Sequence, residues 1–410
     1  MIHEPRGAEP RGTGRIAHEP LTSARVSSCE PSPTLEEVRT EAGIPQPLPI
    51  EPRRVLFFGK QKSRSCCTGG LVDALRANGL TVSWVNCSRL RRWIGKWGMY
   101  QAVRLVKHLY KPDLCFVFFH DLPPLLMEEL APEIPTVVWM EEQTRCLESS
   151  HVEYVRNTRL LCLSTPSLVQ AYRQKGIQQS TFLMSGYSPK YHKPYPNPQG
   201  TFDRDIAFIG GPGHMGNRPE FLARVSTWSD LTIFGLRDSW LPHMRRFKNL
   251  HLAGEARPKH YARICARSKI VLGLNQSNDS RLYFSNRFFL TLACRGFHVV
   301  RYVPGMEEVF ENHRHLVWFK TEEECRELCE YYLERDGERD RIAQQGYELV
   351  REQHQYRHRI GDILEILAGK KALWEPPVLQ GPVIPRGKSP RLVEEVDEPL
   401  PLYPRLGSGN

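Results

Sequence analysis

Residues 206 to 221 read IAFIGGPGHMGNRPEF. Four apolar residues precede Gly211, Gly213 and Gly216, which form a literal G-x-G-x-x-G, and Pro219 follows where a helix would take it in its first turn. The pattern reads as strand, tight loop and helix start. Its physical use is anion binding, because glycines let backbone N–H groups at a helix N-terminus approach a phosphate closely. Gly210, Gly211, Gly213, Asn217 and Arg218 are therefore candidate anion contacts; the alternative is a glycine-rich turn with no ligand. A dinucleotide fingerprint fits less well. Pro212 removes one N–H from the loop, and the next strand, LTIFG, ends in Phe234 and Gly235 where an acidic ribose contact is wanted. A dehydrogenase is accordingly disfavoured.

Working outward, short β-type runs alternate with helical patterns on both sides. Downstream, strands are expected near 231–234, 250–252, 270–274, 298–302 and 316–319, with closing helices over 322–335, 338–353 and 358–367. Upstream, strands are expected near 55–58, 81–85, 114–119, 136–140, 160–163 and 182–184, with helices at 70–78, 100–110 and 167–175. Alternation of this kind predicts parallel sheets with helices on both faces. Its occurrence twice predicts an α/β protein of two tandem Rossmann-like domains, at 53–190 and 199–370, joined by the Tyr/Pro-rich link 187–198. A ligand cleft would then lie between the carboxyl ends of the two sheets. Seventeen of the 32 prolines fall in 1–52 and 371–410, where apolar periodicity is absent, so both ends are expected to be disordered tails.

The composition, 40% hydrophobic and 25% charged, is that of a folded globular chain of 410 residues. The two ends carry net charges of −3 and 0, which leaves +13 of the total +10 on residues 53–370. A basic folded part favours an anionic partner. Eleven scattered cysteines, without a C-x-x-C pair or a histidine at zinc-ligand spacing, imply neither a disulfide framework nor a structural metal. No apolar run reaches membrane-spanning length and the first residues lack the apolar core of a secretion signal, so a cytoplasmic location is expected.

Three stretches carry a family resemblance: YARICARSKIVLGLNQ (261–276), SNRFFLTLACRGFHVVRYVPGMEEVFENHRHLVWF (285–319) and ERDRIAQQGYELVREQHQYRHRI (338–360). In the order of Arg287, Phe289, Ala293, Cys294, Gly296, Glu307, Phe310, His354, Tyr356 and Arg359, this chain resembles the CgeB/YkvP-like glycosyltransferases, which are related to the GT4 group. The resemblance implies a GT-B fold, with a nucleotide-sugar donor held mainly by the second domain and the acceptor by the first. It further implies donor contacts at Asn286, Arg287, Glu307 and Glu308, with Arg287 at a helix start suited to a leaving diphosphate. One departure stands out: Leu290 occupies the position where the family commonly has Glu.

In the first domain, His120 and Asp121 follow the strand LCFVFF, and Glu141 and Glu142 follow TVVWM, so all four are placed at strand ends facing the cleft. They are candidates for binding an acceptor or taking a proton from it, against the reading of ordinary solvated charges. Thr68, Gly69 and Gly70 open the first helix and are expected to approach the donor phosphate. The lone D-x-D, Asp203 to Asp205, precedes a strand, and no metal or further cofactor is expected beyond the nucleotide-sugar itself. The segment 89–111 holds seven Lys or Arg and no acid, with Trp93, Trp97 and Tyr100 among them. It is read either as an interfacial helix for an anionic membrane or as a helix packed through Val103, Val106 and Tyr110.

The sequence thus predicts a glycosyltransferase, hexosyltransferase-like, that passes sugar from a nucleotide donor to an acceptor without a metal. The alternatives are a non-catalytic sugar-nucleotide or polysaccharide binder of the same fold, which Leu290 favours, and a nucleic-acid-binding protein suggested by charge alone. No nucleic-acid module is present to support the last.

Overall fold

A computed structural model describes residues 46–49, 51–60, 67–141, 149–198, 200–213 and 217–375. Six strands form the first sheet: β1 (Arg54–Phe58), β2 (Thr81–Val85), β3 (Leu114–Phe118), β4 (Thr136–Met140), β5 (Leu160–Leu163) and β6 (Ser180–Phe182). All pair in parallel, in the order β2-β1-β3-β4-β5-β6. Between them run α1 (Cys67–Ala77), α2 (Cys87–Tyr110), α3 (Pro124–Leu130), α4 (Ser149–Val155) and α5 (Pro166–Gln174). The apolar runs are continuous because both faces are covered. In β1, Leu56 and Phe58 enter the core on one face while Val55 and Phe57 enter the core on the other.

The second sheet holds β7 (Arg204–Ile209), β8 (Leu231–Phe234), β9 (His251–Gly254), β10 (Ser268–Gly273), β11 (His298–Arg301) and β12 (Val317–Phe319). It too is parallel, ordered β12-β11-β10-β7-β8-β9. Its helices are α6 (Arg218–Val225), α7 (Arg237–Arg246), α8 (Pro258–Ala266), α9 (Asn286–Ala293), α10 (Glu322–Leu333), α11 (Asp336–Gln353) and α12 (Tyr356–Leu367). In each sheet the strand order reverses once, between β1 and β3 in the first and between β7 and β10 in the second. Such switch points are where open α/β sheets bind ligands, outside the carboxyl ends of the strands. The two-domain α/β architecture expected from the alternation is therefore present.

The last helix departs from the expected division. Although α12 follows the second sheet, Tyr356, Ile360, Ile363, Ile366 and Leu367 bury themselves in the core beneath the first sheet, beside α1. Tyr356 meets Trp139 of β4 edge-to-face at 5.9 Å. The chain thus crosses back, and the segment 199–370 supplies the whole second sheet and one helix to the core of the first. The tail boundaries also shift. The Leu48 amide donates to the Leu367 carbonyl at 2.9 Å, and Trp374 packs on Phe182 while Arg173 pairs with Glu375. Residues 46–49 and 371–375 are thereby ordered against the first domain, residues 51 and 52 lead into β1, and the rest of both expected tails lies outside the described residues.

Candidate functional site

The loop after β7 and the loop after β10 flank the second sheet's switch point, and each delivers one arginine. Arg218 opens α6 and is buried; it donates through Nη1 to the Gly211 carbonyl at 2.7 Å and through Nη2 to the Leu274 carbonyl at 3.0 Å. Arg287, on the first turn of α9, donates to the same Leu274 carbonyl at 3.2 Å. Neither forms an ion pair among the described residues. Burial, and then the neighbouring Arg287, push Arg218 down to about 9, and burial lowers Arg287 as well. Two guanidinium groups are thus gathered at one carbonyl without a carboxylate paired to either among the described residues.

Local sequence explains the placement. Asn275, buried directly after β10, accepts from the Ser285 amide and donates to the Tyr283 carbonyl, which closes the loop and aims α9. Ser285 occupies the N-cap of α9 but its hydroxyl makes no capping bond, so the positive end of that helix is left to another partner. Gly210 is closely packed: a Cβ would come within 3.3 Å of Arg287 Nη1 and of Phe208 Cζ. The Gly210 carbonyl accepts from Trp240 Nε1 at 2.9 Å, which fixes the strand end. Gly213 adopts φ +81°, and a Cβ on Gly211 would meet no protein atom within 4 Å. Asn217 caps α6 without a side-chain bond, while His214, Met215 and Gly216 lie outside the described residues. His298 stands beside this group, its Nδ1 on the Val271 carbonyl and its Nε2 buried without a partner.

Contact between the domains is made at α9. Asn286 Nδ2 lies 3.6 Å from Cys67 Sγ at the start of α1, and Cys67 in turn influences Glu141 at the end of β4. Burial, then Cys67, push the Glu141 carboxyl up to about 8, against a 2.7 Å hydrogen bond from the Ser185 hydroxyl. Arg359 holds that serine by donating to the carbonyls of Met184 and Ser185, and its Nη2 lies 2.6 Å from His354 Nδ1. The H-x-Y-x-x-R motif therefore clamps the crossover behind Glu141.

Other expected residues have different surroundings. Asp121 is taken by Lys60, whose amide and ammonium reach its two oxygens at 2.6 and 2.9 Å across the first sheet's switch point. His120 meets His151 at 4.5 Å and Tyr154 at 5.0 Å in tilted ring contacts; its Nε2 and His151 Nδ1 are buried without partners, and burial brings its pKa down to about 4. Gly69 and Gly70 face the crossover: Cβ atoms there would strike Tyr191 Oη at 2.6 Å and Ser188 Cβ at 2.8 Å. Their position is explained by helix packing on the linker. Glu307 accepts from Tyr302 and Glu308 pairs with Arg281 on a 3-10 turn, Met306–Glu308, beyond β11. Leu290 is buried among apolar side chains of α9 and its neighbours. Asp203 pairs with Arg204 and Arg267, and Asp205 with Lys269. Among the described residues no three His, Cys, Asp or Glu side chains cluster as metal ligands. Glu142 lies outside the described residues.

Sequence reading missed Lys60, His151, Ser185, Asn275 and His298. Asn275 alone carried a local signal, a polar residue closing the apolar run IVLGL; the others acquire their role only through the fold.

Residues 218–365 match the model of a family described as glycosyl transferase-like. No curated protein matches. Among solved structures, the chain is similar to HepE of Anabaena in complex with UDP and glucose, at 12% identity and a TM-score of 0.52, covering 77% of this chain and 99% of that one. It is also similar to sucrose-phosphate synthase of Thermosynechococcus elongatus, at 10% identity and a TM-score of 0.58 with the same coverage. A glycosyltransferase of Rickettsia africae gives 11%, 0.54, and coverage of 77% and 97%. These likenesses establish the fold as that of two-domain GT-B proteins.

Proposed function

We propose that the protein is a glycosyltransferase that takes a hexose from a nucleotide-sugar and passes it to an acceptor hydroxyl, in the CgeB-like branch. The observation that carries this reading is the pair Arg218 and Arg287 beside the uncapped start of α9, at a switch point and without a counter-charge among the described residues. Buried like charges repel, so such a pair is stabilised by a bound polyanion, and a diphosphate matches both forks and the helix end. The same arrangement stabilises a departing nucleoside diphosphate as negative charge develops on it. The family match over 218–365 supports the same chemistry.

The acceptor would enter from the first domain. Glu141, with its pKa near 8, is matched to take the proton of an attacking hydroxyl at neutral to mildly basic pH. His120, kept neutral by burial and with an unpartnered Nε2, stands at the end of the neighbouring strand as a second polar group for the acceptor side. Asp121 acts by positioning, through Lys60. Metal is not needed in this scheme, since the arginines and the helix end neutralise the leaving group.

Leu290 favours a second reading, a binder of sugar-nucleotides without turnover, because the donor-side carboxylate common in the resembling family is replaced by buried apolar contact. A thermal-shift panel of UDP-, GDP-, ADP- and TDP-sugars, followed by assay of nucleotide release in excess EDTA, separates these. Stabilisation by one donor class together with release of its diphosphate supports the transferase. Stabilisation without release supports the binder, and no stabilisation by any donor rejects both.

A further inference from the structure

Helix α2 divides at Gly95, whose φ of +72° and ψ of 178° break the helical path. On the C-terminal side, Met99 and Val103 are buried, Val106 packs against the core, and the Tyr110 hydroxyl donates to the Thr81 carbonyl. Arg104 and Lys107 are there paired with Glu129 and Glu133. On the N-terminal side Cys87 is buried and Leu90 packs against the core, but the turns after them are not covered. Residues 91–97 are all exposed, with Trp93 at 65%, Ile94 at 51% and Trp97 at 76%. The Arg89 guanidinium lies over the Trp93 ring at 4.2 Å, and Arg89, Arg91, Arg92 and Lys96 have no ion-pair partner among the described residues.

We infer that residues 89–98 are a docking knuckle for an anionic lipid surface. Seven consecutive exposed residues offer no single face for a protein groove, whereas a lipid interface surrounds an inserted segment on every side. Indole rings favour the headgroup level, where their apolar body and N–H are both accommodated, and the four cations meet anionic headgroups. Because α2 starts at the carboxyl end of β2, docking brings the surface to the same edge of the first sheet as His120 and Glu141. The inference is independent of the transferase reading, since it rests on α2 alone.

The test is co-sedimentation of the full chain with vesicles of phosphatidylcholine, with and without phosphatidylglycerol. The expected result is pelleting only with phosphatidylglycerol, reversed by high salt. Arg91→Ser/Arg92→Ser/Lys96→Ser should lower the partition coefficient about a hundredfold, roughly fivefold for each charge removed. Trp93→Ser/Trp97→Ser should abolish pelleting with all four cations in place, and Leu105→Ser/Leu109→Ser, on the packed half of α2, should leave it unchanged. All altered side chains are exposed, so melting temperatures should stay with the parent. Failure to pellet with anionic vesicles at low salt, equal pelleting with phosphatidylcholine alone, or undiminished binding by the Trp pair variant would each overturn the proposal.

Discussion

Arg218 and Arg287 share one acceptor, the Leu274 carbonyl, and that shared oxygen is the smallest unit on which the functional reading depends. A charge-assisted contact of this kind contributes about 1.5 to 3 kcal/mol, so Arg287→Ala should weaken nucleotide-sugar binding roughly ten- to a hundredfold while leaving the melting temperature nearly unaltered. Arg218→Ala also strips the partner from the Gly211 carbonyl and should cost stability as well. Glu141 makes a separate prediction. Its folded-state pKa of about 8 lies above the ordinary carboxylate value of 4.5, so the native state holds more protons than the unfolded chain between those limits. Stability should therefore fall as pH rises from 4.5 to 8, and Glu141→Gln should flatten that slope in pH-dependent melting curves. Activity should rise with pH toward 8 in the parent and lose that limb in Glu141→Gln. An unchanged pH profile in the variant would remove Glu141 from proton transfer.

Among the elements, α12 shows most clearly where sequence reading stops. The sequence predicts a helix over 358–367, and the spacing of Ile360, Ile363 and Ile366 gives it an apolar face, but periodicity does not say which sheet receives that face. The same limit applied to Gly69 and Gly70, read as phosphate contacts because they open a helix; the linker residues that press against them lie more than a hundred positions away. By contrast, strands β4 and β5 are legible to the residue, because Val137–Met140 and Leu160–Leu163 are unbroken apolar runs of strand length. The arginine site was half legible: Arg287 and Arg218 stood out by position, but their convergence on Leu274 depends on the order of β7 and β10. Packing of α1 on the crossover predicts that Gly70→Ala, driven into Ser188 and the Tyr356 ring, destabilises by about 1 to 3 kcal/mol in chemical denaturation. Donor affinity per folded molecule should be retained. A variant of parental stability with lost donor affinity would restore Gly70 to the phosphate site.

At the scale of the molecule, the returning helix α12 packs under the first sheet and a buried clamp of His354 and Arg359 braces the crossover. His354 in that clamp is pushed down to about 3, and His120, His192 and His298 to about 4, chiefly by burial. Each folded-state value lies below the unfolded value of 6.5, so the unfolded chain binds protons first as pH falls. Stability should be lost progressively from about pH 6.5 toward 4, readable as a falling denaturation midpoint, and His354→Gln should remove part of the loss. Together with the Glu141 effect, the opposing slopes should give a stability maximum in between. Central to the account, however, is that the counter-charge for Arg218 and Arg287 is a nucleotide-sugar diphosphate. The direct measurement is titration calorimetry of the best-stabilising donor against the parent chain, Arg287→Ala, Arg218→Ala and the double variant. One donor site is expected, weakened by each single change, with the two losses not adding because both arginines act on one diphosphate. Donor affinity equal in all four proteins would contradict it.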